Sequence, residues 1–280
     1  MESAVKEGLD YMILQGQRQR YQYYSFEKTG LAYRFDLTKT NLKHAFASFN
    51  LPNLKLQELK ADDFDKLQEI AQMHSSCKLH FDRPLNLLFE TLISTGSRPY
   101  YALLDGELVG YLVIDKDLKL IQEFYGKNRE ISQTMLGAAL NLSQKESLSF
   151  SLPPSHVDEV ELLSRISEIS YISPDGNYTV LNYHRVIRAM MDLQASIRPL
   201  ADGQVILNIR GFAGNENIKI SVIEGVPSVN LTNEVEDLRL DHMDAMNFLF
   251  SPVCPARAKL GPAQASWFPL PLHTPALDNA

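Results

Sequence analysis

Two imidazoles flank a thiol at His74, Cys77 and His80, a grouping of metal-ligating side chains. No second pair completes a four-ligand set, so the expected reading is a polar loop around a core thiol, with no metal. His184 and His242 fall inside helical patterns, where a surface or half-buried place is expected. The phosphate loop GxxxxGK[ST], the dinucleotide motif GxGxxG, the zinc motif HExxH and the nucleophile elbow GxSxG are all absent. The richest stretch is Leu9–Gly30, in which an apolar run stops at Gly16 and a polar segment leads into Tyr21, Tyr23, Tyr24 and Phe26. It reads as strand, glycine turn, short polar helix, and a turn into the next strand.

Elements on both sides must hold these residues in place. Met1, Val5 and Leu9 recur at helical spacing, with Gly8 as a stop. Tyr11–Leu14 predicts a buried strand, Gln17–Tyr24 a short helix, and the alternation of Leu31, Tyr33, Phe35 and Leu37 a half-buried strand. Asn50–Asn53 reads as a boundary loop. Beyond it come a helix over Ala61–Met73, capped by Asp62 or Asp63 and carrying Phe64, Leu67, Ile70 and Ala71 on one face, and a second helix over Pro84–Ile93. Tyr100–Leu104, Asp105–Gly106 and Glu107–Ile114 predict a β-hairpin, because Asp-Gly supplies the positive φ of a tight turn. Leu118–Tyr125, Ile131–Leu142, Leu148–Leu152 and Val157–Ile169 then read as strand, helix, strand and helix. In the last third, a helix over Val180–Met191 is followed by short strands at Gln204–Arg210, Ile218–Ile223 and Ser228–Thr232, and a helix over Asp241–Phe250. Prolines 252, 255, 262, 269, 271 and 275 predict an extended tail, and Trp267, Phe268, Leu270 and Leu272 predict that it packs.

The 280 residues carry 27 Lys+Arg against 34 Asp+Glu, a net charge of −7. With no basic block, nucleic acid and anionic membrane are not expected as partners. No apolar run approaches the roughly 18–20 residues that span a bilayer, the start has no secretion-signal pattern, and Cys77 and Cys254 lack CxxC spacing. A soluble cytoplasmic chain is expected.

Tyr21 and Phe26 stand five residues apart, and this stretch resembles the final conserved region of the GNAT N-acetyltransferases, Tyr-x-x-Phe-Gly-Phe. Tyr24 replaces the usual Phe and Ser25 the usual Gly, and serine takes such a turn less comfortably. The order of the whole chain, ending in Trp267-Phe-Pro-Leu-Pro-Leu, looks like the enhanced intracellular survival (Eis) type. That resemblance implies an α+β chain: the remnant of a GNAT domain over 1–50, a second GNAT-like α/β domain over 51–178, and a sterol-carrier-like α+β domain over 179–280. It also implies acetyl-CoA as cosubstrate, a primary amine (aminoglycoside- or lysine-like) as acceptor, and a small set of catalytic groups. The family tyrosine, here Tyr21, gives a proton to the departing thiolate, since a phenol of pKa about 10 suits a thiolate of similar basicity. The family's terminal carboxylate, here that of Ala280, enters the same cleft.

A GNAT domain cradles the CoA pyrophosphate in a Gln/Arg-x-x-Gly-x-Gly/Ala loop at a helix N-terminus, and none precedes Tyr11. About 100 residues of the family pattern are therefore expected to be missing, no cofactor-binding residue is assigned, and weak or absent activity is expected of the chain alone. Arg18 and Arg20 read as solvated charges. A homo-oligomer covering the strand edge left by the loss is expected. The alternative is a non-enzymatic lipid- or small-molecule-binding protein, with a groove lined by Met243, Met246, Phe248 and Trp267.

Overall fold

The computed structural model describes residues 2–45, 53–212 and 214–279. Their chain falls into two compact units. Residues 1–31 and 173–274 make the first, and residues 32–172 and 275–280 the second. The boundary loop expected at Asn50–Asn53 lies almost wholly outside the described residues.

In the first unit Glu2–Lys6 (α1) ends at Gly8, whose φ of +76° suits a residue without a Cβ. Tyr11–Leu14 (β1), Arg18–Gln22 (α2) and Glu27–Thr29 (β2) follow. The chain then enters the second unit as Ala32–Thr38 (β3) and Lys39–Ala45 (α3). There Lys55–Glu58 (β4), Phe64–Ser75 (α4), Leu88–Leu92 (α5), Arg98–Leu104 (β5), Glu107–Ile114 (β6) and Leu120–Gly126 (β7) come in order. Arg129–Ser143 (α6), Ser147–Leu152 (β8), Val157–Ile166 (α7) and Ile169–Ser173 (β9) complete it.

The second unit is built on one seven-stranded sheet of order β4-β5-β6-β7-β8-β3-β9. The expected hairpin joins β5 to β6, with Asp105 at φ +51° and Gly106 at φ +91°. β7 and β8 run parallel and register only at Leu120–Ser149 and Ile121–Phe150. Past those pairs each strand leaves backbone groups to be satisfied elsewhere. Buried Phe35, Leu37, Leu112, Phe124, Leu136 and Phe150 form the core on one side, and Leu67, Ile70, Leu88, Tyr111 and Val113 a second cluster.

The chain returns to the first unit as Gly176–Val180 (β10), which inserts between β1 and β2, antiparallel to both. The first unit thus completes its three-stranded sheet with β10, a strand that follows the second unit's main stretch in sequence, whereas the second unit places its own first strand, β3, between β8 and β9. Tyr183–Ile197 (α8) leads to a four-stranded sheet of order β13-β12-β11-β14, made by Gly203–Gly211 (β11), Gly214–Ile223 (β12), Val226–Leu231 (β13) and Leu238–Asp241 (β14). β14 lies parallel to β11. His242–Phe250 (α9) is capped by Asp241, whose carboxylate accepts from the Asp244 N–H.

Several expectations need correction. Phe64 is 74% exposed and does not share the buried face of Leu67 and Ile70. Asp63 stands before α4, yet its carboxylate accepts from the Lys60 N–H rather than capping the helix. The helix expected to run to Ile169 stops at Ile166, and Ile169 instead opens β9. The proline-rich tail is not extended throughout: Pro255–Lys259 forms a 3-10 turn and Pro262–Ala265 a helical turn (α10), each opened by a proline whose missing N–H costs a first turn nothing. The tail does pack, with Trp267, Leu270 and Leu272 in the first unit's core.

Candidate functional site

The Tyr21 stretch owes its shape to backbone bonding. The Ser25 N–H donates to the Gln22 carbonyl (3.0 Å), and the Phe26 N–H reaches back to the Tyr21 carbonyl (3.1 Å). Ser25 lies at φ +64°. This is a Schellman helix end, in which a left-handed residue lets the chain turn and the next residue bonds back to the third from the end. The five-residue spacing of Tyr21 and Phe26 is therefore that of a helix terminus, with Ser25 accepting the strain a glycine would avoid. Phe26 is buried, Tyr21 half-buried, and Tyr23 and Tyr24 are exposed.

Three contacts within the first unit hold this turn. Glu27 on β2 is buried and takes Arg18 (2.6 Å) and the Gln22 side-chain amide (2.9 Å), fixing α2 onto the sheet. Arg18 is thus half of an ion pair, a correction to its reading as a solvated charge. Asn177 of β10 donates to the carbonyls of Leu14 and Gly16, and its Oδ1 is buried with no hydrogen-bond partner among the described residues. A Cβ on Gly16 would come within 2.5 Å of the Tyr21 ring, so that glycine lets the ring lie close against the backbone. The third contact is His242, whose Nε2 meets the Ser25 carbonyl at 3.0 Å, while its Nδ1 lies 2.9 Å from the Tyr183 hydroxyl. An Nε2–H donating to the carbonyl leaves Nδ1 as the acceptor.

A second cluster of titratable groups lies in the second unit. Arg83 is buried between two carboxylates: Nε and Nη2 donate to Asp278 (2.8 and 2.7 Å), and Nη1 donates to Glu123 at 3.2 Å, with Nη2 bonding Glu123 as well. The Tyr111 hydroxyl adds a bond to Glu123 (3.3 Å) and lies 3.4 Å from His74 Nδ1. Burial alone would push the guanidinium's pKa down, but its hydrogen bonds to Asp278 and Glu123 outweigh that and raise it. His74 Nε2 meets the Phe81 carbonyl at 3.1 Å, and burial pushes the Cys77 thiol up to about 11, so it is a poor nucleophile at neutral pH. The expected polar loop around a thiol is thus part of a buried ionic network. Sequence gave no signal for it beyond the charges themselves.

The histidines make a prediction about pH. Burial lowers the pKa of both His74 and His242 below the ordinary 6.5; the Arg83 charge adds to the effect on His74. The unfolded chain then binds more protons than the folded one between the two values, so stability falls as pH drops below about 6.5 and is unaffected by these groups above it. Urea midpoints should be lower at pH 5 than at pH 7.5. His74→Gln and His242→Gln should each flatten the difference, and a parent-like pH slope in both variants would refute this.

The α6 N-terminus is already capped by the Asn128 side chain, which accepts from the Ile131 N–H, and it carries Glu130 in its first turn. Both features oppose an anion there. Ala280 lies outside the described residues. Met246, Phe248 and Trp267 are fully buried core, and Met243 is half-buried, so these side chains serve packing rather than the open groove of the alternative reading. Among the described residues no group of three or more His, Cys, Asp and Glu could hold a metal ion, and no helix is long and apolar enough to cross a membrane.

No family model matches the sequence, and no curated protein matches it. Solved structures do. The chain is similar to a GCN5-related N-acetyltransferase from Kribbella flavida, with TM-score 0.53 and 16% identity over 86% of this chain and 60% of that one. It is similar also to Eis1 from Mycobacterium abscessus (TM-score 0.55, 11% identity, 86% and 63% covered). A third match is a probable N-acyltransferase of unknown function from Enterococcus faecalis (TM-score 0.54, 14% identity, 88% and 64% covered). The fold is mixed α+β and GNAT-like, and the chain spans 60–64% of the length of these structures.

Proposed function

We propose that the chain belongs to an acetyl-CoA-dependent N-acetyltransferase acting on a primary amine, and that Tyr21 is its proton donor. The observation that carries the reading is the Tyr21–Phe26 helix end. It holds a tyrosine half-exposed beside Gly16 in a chain of GNAT-like fold, with the left-handed residue at Ser25 where the family pattern has glycine. Transfer of an acetyl group to an amine forms a C–N bond and breaks the thioester C–S bond; the ammonium proton is lost, and the thiolate takes one up. A phenol held in a fixed turn can supply that proton, and general acid catalysis of this kind is worth about a hundredfold or more. In this reading the anion-binding part of the site lies in the portion of the fold that the chain does not span.

The test is release of free CoA thiol from acetyl-CoA with a panel of primary amines, using the chain and a form extended upstream. Turnover is expected from the extended form. Tyr21→Phe should lower kcat about a hundredfold with little change in Tm. Unchanged kcat would remove Tyr21 from the role, and absence of turnover in both forms with every amine would overturn the function.

A further inference from the structure

We propose that the groove between α4 and α5 docks a basic amphipathic peptide segment of a partner protein. The groove has a volume of about 590 Å³, and Phe64, Leu67, Leu85 and Phe89 supply its apolar surface. Leu67 is buried, whereas Phe64 is 74% and Leu85 49% exposed, so the apolar surface continues out to the rim. Phe64 also borders a neighbouring cleft of about 360 Å³. An aromatic ring left in water beside a concave apolar surface is what a partner's apolar side chain would cover.

Charge selects the partner. Asp65 and Glu90 line the groove, and Asp62, Asp63 and Asp65 line the adjoining cleft. Among the described residues no side chain pairs with Asp62, Asp65 or Glu90. Lys66, the one cation lining either space, is bound to Glu69 at 2.6 Å. The rim is therefore left with uncompensated negative charge that a Lys- or Arg-bearing ligand would neutralise. A second copy would bring a like-charged rim, and an anionic lipid surface would be repelled. An amphipathic helix with apolar anchors at i, i+3/i+4 and i+7 and lysines on its flanks satisfies both the floor and the rim.

The probe is a fluorescein-labelled Leu/Lys peptide with leucine at those spacings, titrated with the full chain by fluorescence anisotropy. Saturable binding that weakens with salt is expected. Phe64→Ser should raise Kd about tenfold, and the double change Asp65→Asn with Glu90→Gln should do the same while reducing the salt dependence. Both variants change exposed side chains, so Tm should hold. Equal binding of a peptide with its leucines replaced by serine, or parent-like affinity in both variants, would overturn the proposal. So would a concentration-dependent dimer that Phe64→Ser abolishes, since a second copy would then be the occupant.

Discussion

Arg83→Met is expected to lower the stability of the second unit by about 3–5 kcal/mol, the usual cost of stripping one partner from a buried ion pair. Methionine fills the space of the side-chain stem but leaves Glu123 and Asp278 buried without their cation. The side chains of Arg83, Glu123 and Asp278 are 4%, 10% and 7% exposed, so water cannot take over the lost bonds without local opening. The triple change Arg83→Met, Glu123→Gln, Asp278→Asn should recover much of the loss, because it removes the orphaned charges as well. Urea unfolding followed by circular dichroism measures both. A single variant within 0.5 kcal/mol (roughly the scatter of an ordinary surface change) would show that the cluster is solvated. The segment Pro275–Asn279 would also lose its anchor, since Asp278 is its ionic tie to this unit and Leu277 its apolar one.

Trp267→Ala should cost the first unit a similar amount, about 3–5 kcal/mol. The indole is fully buried in the core that α8, α9 and the four-stranded sheet share, and its Nε1–H donates to the Ala201 carbonyl at 2.9 Å. Alanine removes the packing and orphans that carbonyl. Trp267→Phe keeps most of the apolar contact and loses the hydrogen bond, so it should cost less. Calorimetry distinguishes the variants, and equal Tm for parent and Trp267→Ala would mean that the tail does not contribute to the core. The result also bears on the lipid-binding alternative: a residue whose removal destabilises this strongly is structural filling.

Much of the local structure was legible. The Asp105–Gly106 hairpin and the stop at Gly8 follow from turn chemistry, and both glycines have positive φ. Periodicity was less reliable at ends. Nothing in Val157–Ile169 marks Ile166 as the last helical residue, because Ile169, Tyr171 and Ile172 are apolar yet belong to an exposed strand. Proline content predicted an extended tail, but the same residue opens helical turns at Pro255 and Pro262. Arg18 looked solvated because its partner Glu27 comes within reach only when the Schellman turn folds β2 back beside α2.

By itself the sequence determined the middle of many helices and strands and the tight Asp105–Gly106 turn, and that Tyr21 and Phe26 flank a special backbone position. Those properties depend on side chains a few residues apart, whose steric and hydrogen-bonding preferences act locally. Only the tertiary structure decided where β3 and β10 pair, since an alternating strand is equally suited to any sheet with a free, apolar-faced slot. Only it decided that Arg83 meets Glu123, 40 residues away, and Asp278, 195 residues away. A charge becomes part of a network through burial and distance, and neither is written at its own position in the chain.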